Sequence, residues 1–200
     1  ANRRWARAIA ASVPGSTRGA EAVRASAASL AGPDDVDALV ASLAGASAAW
    51  RGRGAVERAA VLQRVGDVLA ARRGELIEVA AAETGKTIDQ ADPEVSEAVD
   101  FCRHYAELSL QLEDPTFMCS SRFEPVEVTV VASPWNFPLA IPAGGVAAAL
   151  ASGSTAVLKP APPARRCAAE LVRAFHDAGV PEEVLALAAV EDGEVSRHLV

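Results

Sequence analysis

Apolar positions recur at helical spacing through the first hundred residues and switch to alternation soon after. Gly32-Pro33-Asp34-Asp35 marks a boundary, with an aspartate predicted as the N-cap of the helix that follows. Val36, Leu39, Val40, Leu43, Ala46, Ala49 and Trp50 then sit three or four residues apart. A second amphipathic helix is predicted over 55–83 from Leu62, Val65, Leu69, Leu76, Val79 and Ala80, with Gly85 as its stop. A third is predicted after Pro93, burying Val95, Val99, Cys102 and Ala106 on one stripe. Residues 125–132 alternate around Val126, Val128 and Val130, as a half-buried strand does. A helix over 139–151 follows, then a strand over 154–158 ending at Lys159. A helix over 163–178 stopped by Gly179 and Pro181, a strand over 184–190 and a helix from 193 complete the order.

This order predicts an α/β fold: N-terminal helices followed by a parallel Rossmann-like βαβαβ unit with right-handed crossovers. A partial sheet of this kind leaves an unpaired edge and an uncovered apolar face, which predicts poor solubility. Residues 1–33 predict a surface helix carrying Trp5, Ile9 and Val13, followed by a polar linker; residues 34–200 form the α/β part. The first 33 residues hold five arginines against one acid, which superficially matches an organellar transit peptide. Alanine and arginine dominate the whole chain, however, so the surface helix is the preferred reading. The first residue is Ala1 rather than methionine, as in a processed or excerpted chain.

Chemistry concentrates at Ser133-Pro134-Trp135-Asn136-Phe137-Pro138, where the run of valines ends. Each proline fixes its own φ and biases the residue before it towards extended geometry, so this loop has little freedom. Its one flexible polar side chain, Asn136, is an amide suited to donating N–H to an oxygen that gains negative charge. The plainer alternative is a Pro-rich strand-to-helix turn with Asn as a helix cap. Ser133–Asn136 and Lys159 fall at the carboxyl ends of strands joined by one crossover, where open α/β sheets bind ligands.

Composition removes several other classes. A net charge of −7 argues against nucleic acid as a general partner. The longest apolar run, 139–151, is broken by Pro142, Gly144 and Gly145, so no transmembrane segment is predicted. The three cysteines, Cys102, Cys119 and Cys167, have neither C-x-x-C nor zinc-ligand spacing; they read as reduced thiols of a cytoplasmic protein, with no metal site.

Glu124-Pro125-Val126-Glu127-Val128-Thr129-Val130-Val131-Ala132-Ser133 running into the Pro-Trp-Asn-Phe-Pro loop, and the Lys159-Pro160 pair one helix and one strand later, resemble the aldehyde dehydrogenase superfamily. Glu83-Thr84-Gly85-Lys86-Thr87, followed by Glu94-Val95-Ser96-Glu97-Ala98-Val99-Asp100-Phe101-Cys102-Arg103-His104-Tyr105-Ala106, is similar to its Δ1-pyrroline-5-carboxylate dehydrogenase branch. The likeness is strongest to the dehydrogenase half of bifunctional proline-utilisation enzymes and covers residues 35–200. It implies NAD(P)-dependent oxidation of L-glutamate γ-semialdehyde to L-glutamate. By resemblance, Ala132, Ser133, Pro134, Trp135, Lys159 and Ala161 line a NAD site, with NADP possible because Pro162 stands where many members place a ribose-binding glutamate. Asn136 matches the oxyanion donor, Phe137 an aromatic against the aldehyde chain, and Glu97 the carboxylate that meets the substrate ammonium. His104 is read as structural.

The family's nucleophilic cysteine and general-base glutamate have no counterpart motif here, so the resemblance implies the N-terminal part of a cofactor-binding domain, inactive by itself. It further implies an upstream FAD-dependent proline dehydrogenase domain as partner and a homo-oligomer when complete. Two rival readings stand beside it: an aldehyde dehydrogenase of another substrate branch, and a non-catalytic scaffold of the same fold.

Overall fold

A computed structural model describes residues 2–119 and 121–200 of the chain. The helical half comprises α1 (Asn2–Ser12), α2 (Ala20–Ser29), α3 (Pro33–Gly52), α4 (Gly54–Ala71), α5 (Arg73–Thr84), α6 (Ile88–Gln111) and the single turn α7 (Pro115–Met118). The remainder runs β1 (Val128–Ser133), α8 (Ala140–Ser152), β2 (Thr155–Pro160), a 3-10 turn (Pro162–Ala164), α9 (Arg165–Asp177), β3 (Leu185–Leu187) and α10 (Glu194–Leu199). The strands form one parallel sheet in the order β1-β2-β3, with Val128 opposite Thr155, Ser133 opposite Pro160 and Ala156 opposite Leu185. The expected βαβαβ unit is therefore present.

Side chains alternate across this sheet and build two cores. On one face Val131, Ala156, Leu158 and Leu185 join the large core made with α4, α5, α6, α8 and α9. On the other, Val128, Val130 and Val157 pack with Val36, Leu43 and Leu199 from α3 and α10. The expectation of an uncovered apolar face is thus corrected: the amphipathic α3 crosses it.

Three local expectations also change. The helix expected over 55–83 is two, because Arg72 leaves helical geometry at φ −90°, ψ 13° and starts α5 afresh. The third helix starts at Ile88, ahead of Pro93, because Thr87 is an extended N-cap whose N–H donates to Gln90 Oε1 (3.4 Å). The N-cap of α3 is Gly32, and the aspartate acts from three residues on: Asp35 Oδ2 accepts from Ala31 N (2.9 Å) and Gly32 N (3.0 Å).

The stretch expected as linker contains α2. Its Ser26 hydroxyl donates to Leu187 O (2.6 Å) and accepts from Ala189 N (2.9 Å), which ties it to the end of β3. Glycine lets α8 lie close to its neighbours. A methyl on Gly144 would stand 2.9 Å from the Phe101 ring, and one on Gly145 would stand 2.7 Å from Val131 Cγ1.

Charge matches both ends of α8. Glu94 of α6 accepts from the first amides of the helix. At the far end Arg58 Nε donates to Ala151 O (3.3 Å) and Trp50 Nε1 to Leu150 O (3.0 Å). An anion at the N-terminus and a cation at the C-terminus both favour the helix dipole.

Candidate active site

β1 ends at Ser133, and the chain passes through Pro134–Leu139 before α8 begins. Trp135, Asn136 and Phe137 are exposed on this turn, with Trp135 at 53% and Phe137 at 43%, while Pro138 and Leu139 are buried. The three exposed residues border a cleft of about 420 Å³ whose other wall is Thr84, Gly85, Lys86 and Gln90, from the junction of α5 and α6. Gly85 makes that junction by adopting φ 73°, a left-handed conformation that ends α5 and that glycine adopts without strain.

Lys86 is turned inward there. Its ammonium donates to Glu94 Oε2 and to the carbonyl of Asn136 (2.8 Å), and lies 4.5 Å from the centre of the Phe137 ring. Glu94, 2% exposed, accepts at Oε1 from Leu139 N (2.7 Å) and Ala140 N (3.1 Å). A carboxylate this buried persists because both of its oxygens are used. Neither Lys86 nor Glu94 stands out in the sequence as a site residue. The available signal was an acid within the buried stripe Ala91, Val95, Ala98, Cys102, since an acid in that phase needs a partner.

Lys159 and Ala132 are register partners on adjacent strands, so their side chains share one sheet face. Lys159 is half-buried and, among the described residues, makes no ion pair. Ala161 N donates to Ser133 O (3.1 Å), which closes the turn after β2 against the end of β1. Glu97 is exposed on α6, three residues beyond Glu94, while Phe101 packs against α8 at Gly144. The structure therefore gathers Trp135, Asn136 and Phe137 around one cleft; it sets Ala132, Ser133, Lys159 and Ala161 at the neighbouring strand ends. Glu97 lines neither.

Two features of these strand ends fit the ribose side of a nucleotide: an ammonium without an ion-pair partner among the described residues, and the exposed Ala132 and Pro134. Pro162, which offers no side-chain acceptor, does not add to that fit. The N-terminus of α8 does not suit a pyrophosphate, because Glu94 already fills it. A glycine-rich phosphate turn would have no function at that position, and the sequence has none.

The cysteines are placed away from this chemistry. Burial pushes the Cys102 thiol up to about 12, and Cys167 rises well above its ordinary value through burial and the nearby Glu83 carboxylate. Both are inert as nucleophiles. Cys119 is exposed beyond α7 and lines neither the cleft nor the strand ends. A larger cleft of about 690 Å³ lies between α1 and α6, but its Arg73 is engaged by Asp92 and Ser96, and it contains no sequence-predicted site residue. Among the described residues no cluster could hold a metal ion, and no helix is long and apolar enough to cross a membrane.

Comparison with known proteins follows the same lines. The profile of the aldehyde dehydrogenase family matches residues 17–200. An α-ketoglutarate semialdehyde dehydrogenase of Haloferax volcanii is 38% identical over 159 residues, covering 76% of this chain and 33% of that protein. A 1-pyrroline-5-carboxylate dehydrogenase of Bacillus mycoides is 35% identical over 158 residues, covering 76% and 31%. Among solved structures, proline utilization A (PutA) from Corynebacterium freiburgense superposes with a TM-score of 0.74 at 42% identity, covering 84% of this chain and 17% of that one. The chain thus spans about a third of the length of these two curated relatives, and 13% of the bifunctional protein PutA of Rhizobium meliloti.

Proposed function

The chain belongs to the aldehyde dehydrogenase family, and on that premise we propose that it serves the NAD(P)-dependent oxidation of L-glutamate γ-semialdehyde to L-glutamate in proline catabolism. The observation that carries this reading is the turn after β1, which presents Asn136 at a cleft beside the strand ends. The Asn136 carboxamide donates N–H to the aldehyde oxygen as it becomes an oxyanion, and Phe137 packs on the carbon chain. Lys159 hydrogen-bonds the nucleotide ribose, and Ala132, Ser133, Pro134, Trp135 and Ala161 border the same ligand. Bound NAD(P) supplies the hydride acceptor. Glu97, which lines neither the cleft nor the strand ends, is assigned the substrate ammonium on the resemblance alone.

The thiolate nucleophile and general base lie outside residues 1–200, since Cys102 and Cys167 are buried and Cys119 stands apart from the cleft. The 200 residues alone are accordingly inactive. A proline dehydrogenase domain carrying FAD on the same polypeptide, and assembly into a homo-oligomer, complete the reading; the likeness to PutA supports the partner domain, and the oligomer and the FAD rest on the resemblance alone.

A second substrate branch is favoured by one fact, the 38% identity to a dehydrogenase named for α-ketoglutarate semialdehyde. That substrate has no amino group, so Glu97 separates the two. In the natural polypeptide carrying this sequence, Glu97→Ala is expected to lower kcat/KM for glutamate semialdehyde at least tenfold, the scale of one charge-assisted hydrogen bond (about 1.5–3 kcal/mol), and to leave amine-free aldehydes unaffected. NAD(P)H formation is the readout. Equal loss on both substrates sinks the proline-catabolic assignment, and no turnover of any aldehyde sinks the enzyme assignment.

A further inference from the structure

The turn that presents Asn136 is constrained unevenly by its own sequence. Pro134 and Pro138 fix their own φ and restrain Ser133 and Phe137, but neither restrains ψ of Asn136, about which its peptide to Phe137 turns. Its outer side faces solvent, since Trp135, Asn136 and Phe137 are exposed. The missing constraint comes from beneath. Lys86 Nζ donates to the Asn136 carbonyl (2.8 Å) and sits under the Phe137 ring (4.5 Å). Glu94 holds Lys86 through one oxygen and the amides of Leu139 and Ala140 through the other. Lys86 and Glu94 have side chains only 12% and 2% exposed, so solvent competes weakly for the bonds Glu94 makes, while the bond from Lys86 to the Asn136 carbonyl lies at the surface and is held in place by that anchored ammonium.

We propose that Lys86 and Glu94 are positioning residues, a buried ion pair that fixes the Asn136 peptide and thereby the direction of its carboxamide. The inference rests on the reading of Asn136 as oxyanion donor. Rotation of that peptide swings the carboxamide away from the reacting oxygen, and a displacement near 1 Å costs about 10²-fold in rate. The pair therefore acts chiefly on turnover, and to a smaller degree on substrate binding through the Phe137 ring it supports.

A double-mutant cycle in the natural polypeptide tests this, with glutamate semialdehyde as substrate and thermal unfolding as a check on folding. Asn136→Ala alone is expected to lower kcat about 10²–10³-fold; an unchanged kcat would refute the oxyanion reading itself. Lys86→Met, which removes the donor and the charge, is expected to lower kcat about 10–100-fold, with a smaller change in KM through Phe137. In the Asn136→Ala background the same Lys86→Met change is expected to cost almost nothing, because the group it directs is gone. Lys86→Gln keeps a donor, one atom shorter, and is expected to recover part of kcat; should Lys86→Met not fold, the cycle is run with Lys86→Gln, whose smaller loss is likewise expected to vanish in the Asn136→Ala background. Losses that multiply across the two sites, or a Lys86 variant that lowers the melting temperature with kcat intact, overturn the positioning role while leaving Asn136 as the donor.

Discussion

The two strand-to-helix turns of the sheet solve one problem in two ways. After β1 the chain enters α8, and after β2 it enters α9; each helix begins with amides that no backbone carbonyl can take. Each time a glutamate from the helical half supplies the acceptor. Glu94 serves Leu139 and Ala140, and Glu83 serves Arg166 N (2.7 Å) and Cys167 N (2.8 Å). The difference lies in what else the carboxylate holds. Glu94 is almost wholly buried and bound to Lys86, which reaches on to the exposed Trp-Asn-Phe turn. Glu83 is half-buried, and the side chain beside it faces the N-terminal loop: Arg166 donates to Arg18 O (2.8 Å) and Ser16 O (2.7 Å). The first turn is thus anchored inward to aim a side chain, and the second outward to hold a neighbouring segment.

Removing the acceptor should separate the two turns most sharply. Glu94→Ala leaves a buried ammonium and two buried amides without partners, and is expected to destabilise by about 3–5 kcal/mol. Glu83→Ala orphans two part-buried amides but no buried cation, and is expected to cost about 1–3 kcal/mol. Chemical denaturation of the two variants in one background checks both; equal losses would erase the distinction.

Ligand binding sharpens it next. Lys159→Ala is expected to weaken nucleotide binding about tenfold, the scale of one hydrogen bond to a charged group, with no change in melting temperature, because no described partner depends on that ammonium. Calorimetric titration of the natural polypeptide with NAD and with NADP reads this directly.

The smallest effect concerns acid. Glu78, which accepts from Ser16 beside the second turn, has a lowered pKa: burial alone would raise it, but hydrogen bonds from Ser16 and Ser12 and the nearby Arg18 charge outweigh that. Its contribution is present above 4.5, the ordinary carboxylate value, and is lost as pH falls through the lower folded value. Amide chemical shifts of residues 13–19 should therefore move between about pH 5 and about pH 3.

The sheet was legible because its strands alternate or run apolar between clear stops at Gly153, Gly179 and Pro181. The Asn136 turn was legible because two prolines bracket it. The break at Arg72 was not, since arginine is a good helix former and only Gly74 hinted at a restart. Helix α2 escaped because its Ala/Ser face is nearly featureless, and its anchor, Ser26, bonds residues more than 160 positions away. The clamp beneath Asn136 escaped for a similar reason. Lys86 and Glu94 lie 50 and 45 positions from the groups they hold, and no local period encodes a pairing at that range. Lys159 was placed from the strand end, whereas its isolation from carboxylates needed the fold.

Gly144 and Gly145 leave room for hydrogen atoms only, so the volumes at 101 and 144, and at 131 and 145, are shared quantities. Among natural sequences of this fold they should covary. A methyl gained at 144 calls for a slimmer side chain at 101, and one gained at 145 for a slimmer side chain at 131.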